Sequence, residues 1–212
     1  PDLARLAARV GFGGVDWSLG AAKTAGVDAT KALCAELRIR PSIVNLPMAR
    51  PLPFGGDQPA FDEALRALAD DAAFTASVGC DRMMLVLSPT GPAPKAEYRK
   101  VVRDRLAAIS EVLQRSHLEL GLEFLGVQQF RAGREGGPPP NPFIWTLPET
   151  MALAKDSGAN IGVILDIWHW HHSGATVADI LPPPASRIVH GHLAAANAQQ
   201  PEERRGDPRR EP

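Results

Sequence analysis

The sequence predicts an α/β fold of the (β/α)8 TIM-barrel type, with about six of the eight strands present. Two observations predict it. Short apolar runs alternate with amphipathic helical segments along the 212 residues, and this alternation is typical of parallel strands joined by helical crossovers. The sequence also contains neither a GxGxxG nor a GxxxxGK[ST] phosphate loop, which weakens the alternative of an open, doubly wound nucleotide-binding sheet.

Six segments have the short apolar character of strands, and glycine or proline often closes them. They cover residues 14–17, 41–46, 82–87, 118–125, 161–168 and 187–193. Segments with the apolar spacing of helices alternate with them, at residues 3–10, 29–37, 60–78, 97–115 and 146–157, with a helical turn at 177–181. Because a complete barrel needs eight strands and about 250 residues, we expect the first and last strands to be absent from this chain.

Composition limits the classes of function. With 44% hydrophobic and 22% charged residues, the chain can bury one sizeable core, and we expect a single domain over residues 1–212. A net charge of -1 gives no attraction to nucleic acid or to a membrane surface. Cys34 and Cys80 lack CxxC spacing, and we interpret them as reduced thiols and not as a disulfide framework. The sequence has no signal-peptide pattern and no spanning apolar run, so we expect a cytoplasmic protein.

One carboxylate and three imidazoles follow the apolar run 161–165 within seven residues: Asp166, His169, His171 and His172. In α/β folds, ligands bind at the C-terminal ends of parallel strands. Carboxylate oxygens and imidazole nitrogens are suitable donors for a divalent cation. A metal site is therefore the leading hypothesis for this cluster.

Polar residues also end the neighbouring predicted strands, Glu123 on one side of Asp166 and His192 on the other. Because consecutive strand ends converge on one mouth of a barrel, these three side chains could bind Mn²⁺, Mg²⁺, Co²⁺ or Zn²⁺. The ligands are far apart in sequence, so no local spacing forces this interpretation.

Each candidate also has a purely structural interpretation. Glu123 shares a strand face with Glu119, and both could point to solvent. Asp166 could cap a following helical turn, and His169 could be a packed, hydrogen-bonded histidine. Trp168 could form the wall of a substrate pocket, although packing in the core is the commoner role of an aromatic residue.

The Gly/Pro-rich segment 133–142 is either a lid over the site or a connector.

Three segments resemble the sugar phosphate isomerase/epimerase family of the xylose isomerase-like TIM barrel superfamily. They are GLEFLG at 121–126, LDIWHWH at 165–171 and VHGHL at 189–193. The resemblance implies a divalent metal held by Glu123, Asp166 and His192, with a fourth glutamate from strand eight. It also implies that Glu123 moves a proton through a cis-enediolate.

Further roles are implied for residues near that centre. By the same resemblance, His169 is a catalytic residue that contacts substrate oxygens or a metal, and Arg209 binds an anionic or hydroxyl group. The sequence departs from the family pattern in two places. The strand-eight glutamate would follow Pro212, and Ala194 and Ala195 stand where the family often has Asn-Asp. We therefore expect a weakened metal site.

The resemblance predicts a metal-dependent isomerase or epimerase of a ketose, sugar phosphate or cyclitol, with a small-molecule sugar or polyol as partner. Two alternatives stay open: a dehydratase of the inosose or dehydroshikimate type on the same scaffold, and an inactive truncated barrel. A phosphodiesterase of the endonuclease IV type is disfavoured, because the early predicted strands carry no histidine and no basic DNA-binding surface is evident. Assembly into a homo-oligomer is left open.

Overall fold

The computed structural model describes residues 2–49, 51–131, 141–181 and 184–194. Its helices are α1 (Asp2–Arg9), α2 (Leu19–Ala25), α3 (Val27–Leu37), α4 (Gln58–Ser77), α5 (Lys95–Arg115), α6 (Leu147–Ser157), α7 (Ile167–His172) and α8 (Val177–Ile180). Its strands are β1 (Gly14–Val15), β2 (Arg40–Pro41), β3 (Val44–Asn45), β4 (Arg82–Leu87), β5 (Thr90–Gly91), β6 (Glu119–Phe124), β7 (Asn141–Pro142), β8 (Ile161–Asp166) and β9 (Ile188–His192). None of the described helices has both the length and the apolarity of a membrane span.

The main sheet has five strands in the order β3-β4-β6-β8-β9. Its outer pairs, β3 with β4 and β8 with β9, are parallel. Helices α4, α5 and α6 alternate with these strands along the chain, as parallel crossover connections require. This confirms the α/β class, and a five-stranded sheet among the described residues agrees with the predicted incomplete (β/α)8 barrel.

The chain divides into two compact units, Pro1–Leu85 with Ala108–Leu120, and Val86–Ala107 with Gly121–Pro212. In the first unit the fully buried core includes Ile43, Leu68 and Met83. In the second unit Phe124, Leu147 and Val163 form a buried cluster. That the whole of 1–212 is a single domain stays a prediction.

Helix α7 is the main departure from the predicted elements. The apolar pattern extends the strand through Trp168, but β8 ends at Asp166 and α7 begins at Ile167. The cause is a cap: the Asp166 side chain accepts the backbone N–H groups of Trp168 and His169, which satisfies two donors that the first helical turn leaves open. Two apolar or aromatic residues, Ile167 and Trp168, therefore start a helix in place of extending a strand.

Other boundaries also differ. The predicted strand 41–46 is two short strands, β2 and β3, separated by Ser42 and Ile43. Helix α2 was not predicted; Ser18 caps it by accepting a hydrogen bond from the Ala21 N–H at 3.4 Å. The strand predicted at 14–17 is the two-residue β1, which pairs with β2 in parallel.

A short antiparallel pair, β5 with β7, joins the segments that follow β4 and β6 in the second unit. Thr90 pairs with Pro142 and Gly91 with Asn141. Residues 133–140 of the predicted lid or connector lie outside the described residues. Its last two residues are β7, so that end of the segment is part of a strand pair.

Candidate metal centre

Three ligand-type side chains meet at the C-terminal ends of β6, β8 and β9 in the second unit. Glu123 is the penultimate residue of β6, Asp166 ends β8, and His192 ends β9. One donor atom from each of the three lies within 4.8 Å of the others. The structure thus brings together the three side chains that the sequence proposed as metal ligands.

A register shift decides which residue of β9 faces Asp166. The pairing of β9 with β8 changes by one residue between Val163 and Ile164. Because β9 advances two residues there while β8 advances one, Asp166 pairs with His192. An unshifted register would place Gly191 opposite Asp166, and a one-residue slip exchanges the two faces of a strand.

The two carboxylate oxygens of Asp166 have different partners. Oδ1 accepts hydrogen bonds from the backbone N–H groups of Trp168 at 2.7 Å and His169 at 3.1 Å. Oδ2 lies 3.7 Å from His192 Nδ1. The structural interpretation of Asp166 as an N-cap and its interpretation as a ligand are therefore compatible, because each uses a different oxygen.

Glu123 is buried, with 7% of its surface exposed. Its Oε1 lies 2.7 Å from Nδ1 of His192. The interpretation in which Glu123 points to solvent with Glu119 is wrong: Glu119 is exposed, but every residue of β6 after it is buried, as is usual for a strand of a parallel sheet covered on both faces. A buried carboxylate needs a charged or hydrogen-bonding partner, and His192 supplies one.

Gly121 shares the face of β6 that carries Glu123, two residues earlier. A Cβ built on Gly121 would lie 2.3 Å from Cδ1 of Ile164. The absence of a side chain at Gly121 thus leaves room for Ile164. Ile164 lies in β8, two residues before Asp166.

His169 is buried, with 5% of its surface exposed, but it is not one of the three clustered ligands. Its ring makes an edge contact with Phe130, with 6.2 Å between the ring centroids. Nδ1 of His169 is buried and has no hydrogen-bond partner among the described residues. The ring is therefore packed, as one interpretation expected, but a polar atom within it is left unsatisfied.

Gly126 holds the loop after β6 against α7. A Cβ built on Gly126 would lie 1.9 Å from the His169 carbonyl oxygen and 2.9 Å from the Ser173 nitrogen. Both are backbone atoms, so no side-chain movement could relieve the clash. No role for Gly126 was predicted from the sequence, where its signal is the glycine that ends the GLEFLG segment.

The other two candidates have different outcomes. Trp168 is half-buried in α7, and its ring makes an edge contact with His172 at 4.4 Å between centroids. Arg209 lies outside the described residues. Trp168 does not belong to the cluster of ligand atoms formed by Glu123, Asp166 and His192.

The donor set fits a divalent cation. Two carboxylates and one imidazole are the ligand types that Mn²⁺, Co²⁺ and Zn²⁺ accept, and Mg²⁺ binds through carboxylates. Three protein ligands leave coordination positions for water or a substrate, which is the pattern of catalytic sites. The burial of Glu123 also fits, because a nearby cation would stabilise a carboxylate that water reaches poorly.

Comparison with known proteins identifies the fold family. Residues 4–212 match the family described as xylose isomerase-like TIM barrel. The chain belongs to the xylose isomerase-like TIM barrel family. The resemblance expected from the three sequence segments is thereby confirmed. No curated protein matches the sequence significantly.

Solved structures of the xylose isomerase-like kind share this architecture. A xylose isomerase domain protein from Alicyclobacillus acidocaldarius subsp. acidocaldarius superposes with a TM-score of 0.77 and 22% identity, over 90% of this chain and 67% of that one. IOLI protein with a bound zinc atom has a TM-score of 0.70 and 17% identity, over 90% of this chain and 66% of that one. D-psicose 3-epimerase with D-fructose has a TM-score of 0.69 and 14% identity, over 90% of this chain and 66% of that one. The chain thus spans about two thirds of each, and identities this low show a common fold.

Proposed function

We propose that this chain carries the metal centre of a divalent-metal-dependent isomerase or epimerase that acts on a ketose, sugar phosphate or cyclitol. The observation that carries the proposal is the meeting of Glu123, Asp166 and His192 within 4.8 Å at the ends of three strands. Relatives with the same fold include a D-psicose 3-epimerase and a 3-keto-D-glucoside 4-epimerase. Both names describe epimerisation of a sugar.

In this proposal Glu123, Asp166 and His192 hold Mn²⁺, Mg²⁺, Co²⁺ or Zn²⁺; the zinc atom of IOLI protein supports a metal in this fold. A bound divalent cation would polarise the substrate carbonyl and acidify the neighbouring C–H bond. Asp166 would be oriented for this role by α7, whose first N–H groups hold its other oxygen.

Glu123 is the proposed proton acceptor. Its carboxylate is shielded from water, and its contact with the His192 imidazole fixes its position. Because proton transfer requires a base within hydrogen-bonding distance of the reacting carbon's proton, a fixed carboxylate at the mouth of the strands suits this task. Returning the proton to the other face or the neighbouring carbon would complete epimerisation or isomerisation.

His169 is the proposed substrate-orienting catalytic residue. Its buried Nδ1 lacks a partner among the described residues, and leaving a buried polar atom unsatisfied costs about 1–3 kcal/mol. A substrate hydroxyl or carbonyl would supply that partner. Trp168 as a pocket wall and Arg209 as an anion-binding residue remain further parts of the proposal.

A dehydratase is the second candidate. The probable 3-DHS dehydratase AsbF from Bacillus anthracis has the same fold, with a TM-score of 0.69 and 18% identity over 91% of this chain and 66% of that one. Both reactions begin with removal of a proton next to a carbonyl. Loss of water creates a conjugated product that absorbs ultraviolet light, so the spectrum of the product separates the two.

The proposal is tested with Glu123→Gln and a matched control, Glu119→Gln, which changes an exposed carboxylate of the same strand. Mn²⁺ binding is measured by calorimetry, and exchange of substrate C–H protons with D₂O by NMR for a panel of ketoses that begins with D-fructose. We expect Glu123→Gln to lose both Mn²⁺ binding and proton exchange, and Glu119→Gln to keep both. Equal Mn²⁺ binding by the two variants would remove Glu123 from the metal centre.

A further inference from the structure

A separate cleft lies at the ends of β4 and β6 in the same unit as the candidate metal centre. Its volume is about 490 Å³, and it is lined by Pro89, Thr90, Gln128, Arg131, Pro142 and Trp145. None of these residues belongs to the three-ligand cluster. The lining follows the C-terminal ends of the strands, which is the end that binds ligands in this class of fold.

The walls of this cleft are fixed by the β5–β7 pair. Thr90 pairs with Pro142, and the Phe143 N–H donates to the Pro89 carbonyl at 2.8 Å. Behind the pair, the rings of Phe143 and Tyr98 pack with 4.6 Å between their centroids. The segment carrying Pro89 and Thr90 and the segment carrying Pro142 and Trp145 are therefore held together before any ligand arrives.

Two cations lie on one aromatic ring in this cleft. The Arg131 guanidinium carbon is 5.1 Å from the centroid of Trp145, and the Lys95 ammonium nitrogen is 5.7 Å from it. Both distances are within the range of a cation–π interaction. Lys95 is neutralised by an ion pair with Glu149, whose other oxygen accepts from Thr146.

Arg131 differs from Lys95 because at least one of its donors is unused within the described part of the chain. Its Nε is buried and has no hydrogen-bond partner among the described residues. With Lys95 balanced by Glu149, the group of Arg131, Lys95 and Glu149 keeps one positive charge. A guanidinium that stacks on an indole leaves its N–H edge available to a carboxylate or a phosphate, which it can bind through two parallel hydrogen bonds.

We infer that this cleft, called here the Arg131 cleft, binds an oxyanion, with Arg131 as the hydrogen-bond donor and Trp145 as the platform that holds its guanidinium. The ligand group is a phosphoryl or a carboxylate oxyanion. As a statement about substrate, this inference rests on the proposed function: it selects a phosphorylated or acidic sugar over a neutral ketose. Binding of the anion itself does not depend on the metal.

Anion binding is measured by tryptophan fluorescence during titration with inorganic phosphate and, in a separate series, with acetate, at an ionic strength held constant with sodium chloride. We expect a saturable change with at least one anion; phosphate alone indicates a phosphoryl ligand and acetate alone a carboxylate. Arg131→Gln should weaken binding by roughly tenfold or more, because charge-assisted hydrogen bonds are lost. Arg103→Gln is the matched control, since Arg103 is an exposed arginine paired with the adjacent Asp104.

No saturable response to either anion, or equal affinity in Arg131→Gln and the native protein, would overturn the inference. If circular dichroism shows that Arg131→Gln does not fold, Arg131→Lys takes its place: it keeps the charge but loses the planar donor pair, so we expect weaker binding, and unchanged binding contradicts the inference.

Glu123→Gln separates this inference from the proposed function. We expect it to lose Mn²⁺ and keep phosphate or acetate binding. If the native protein binds the anion but exchanges no protons on any sugar tested, the Arg131 cleft stands and the proposed reaction is removed. Proton exchange on neutral and anionic sugars at equal rates, without anion binding, would remove the cleft's role alone.

Discussion

Asp166 and His192 are partners across β8 and β9, although the first pair of the two strands sets a register in which Asp166 would face Gly191. The shift between Val163 and Ile164 restores an imidazole to the position opposite the carboxylate. Irregularities of this kind are common beside functional sites because they redirect a side chain. The geometry of the candidate metal centre therefore depends on one local departure from regular pairing.

Asp166→Asn should separate the two roles of Asp166. Asparagine caps a helix about as well as aspartate does, whereas alanine at this position should cost about 1 kcal/mol of stability. We expect Asp166→Asn to unfold near the native temperature without metal and yet bind Mn²⁺ more weakly, because one anionic ligand is lost. Asp179→Asn is the control, since Asp179 belongs to the capping box of α8. Native Mn²⁺ affinity in Asp166→Asn would show that the carboxylate does not bind the ion.

A double-mutant cycle should detect the contact between Glu123 and His192. The 2.7 Å contact satisfies a buried carboxylate, so replacing either partner leaves the other unsatisfied. We expect the free energies of unfolding of Glu123→Gln and His192→Asn to be non-additive by about 0.5–3 kcal/mol. Glu123→Gln combined with His117→Asn, a substitution outside the second unit, should be additive. Additivity in both pairs would mean that the contact contributes nothing to stability.

Gly126→Ala should disturb the metal centre without touching a ligand. The new Cβ would meet the backbone of His169 and Ser173, so α7 or the loop after β6 must move, at a cost of about 1–3 kcal/mol. We expect a lower unfolding temperature and weaker Mn²⁺ binding. Gly20→Ala, where the added Cβ meets only the Ser18 hydroxyl at 4.0 Å, should leave metal binding unchanged. A native unfolding temperature for Gly126→Ala would contradict the close approach.

Tyr98 should report the integrity of the second unit at high pH. Burial raises the pKa of Tyr98 from 10.0 to about 12. It is the one tyrosine of the sequence, so tyrosinate absorbance near 295 nm monitors this residue alone. The native state keeps its proton where the unfolded chain loses it, so the stabilisation is complete below pH 10 and is lost as the pH rises towards about 12. A midpoint near 10 in the folded protein, equal to that in urea, would contradict the burial.

The positions of Glu123, Asp166 and His192 near strand ends could be predicted because each lies in or beside a segment with strand character. An apolar run of five residues precedes Asp166, and the other two lie in the neighbouring predicted strands, 118–125 and 187–193. The start of α7 was expected only in the alternative interpretation of Asp166 as a cap, since Ile167 and Trp168 favour extended structure and a single side-chain cap reverses that preference. The β5–β7 pair was also missed. Two-residue strands have no periodicity to recognise, and their pairing depends on residues about fifty positions apart.

Asp166 shows how a family signature can outlast the activity with which it is associated. A descendant that no longer bound metal would still need a capping side chain before α7, so selection for folding alone would keep aspartate, asparagine or serine at this position. Glu123 caps no helix, and its contact with His192 joins it to another proposed ligand, so folding requires the glutamate only while that histidine is kept. When related sequences are sorted into active and inactive members, the glutamate is therefore the more informative of the two acids.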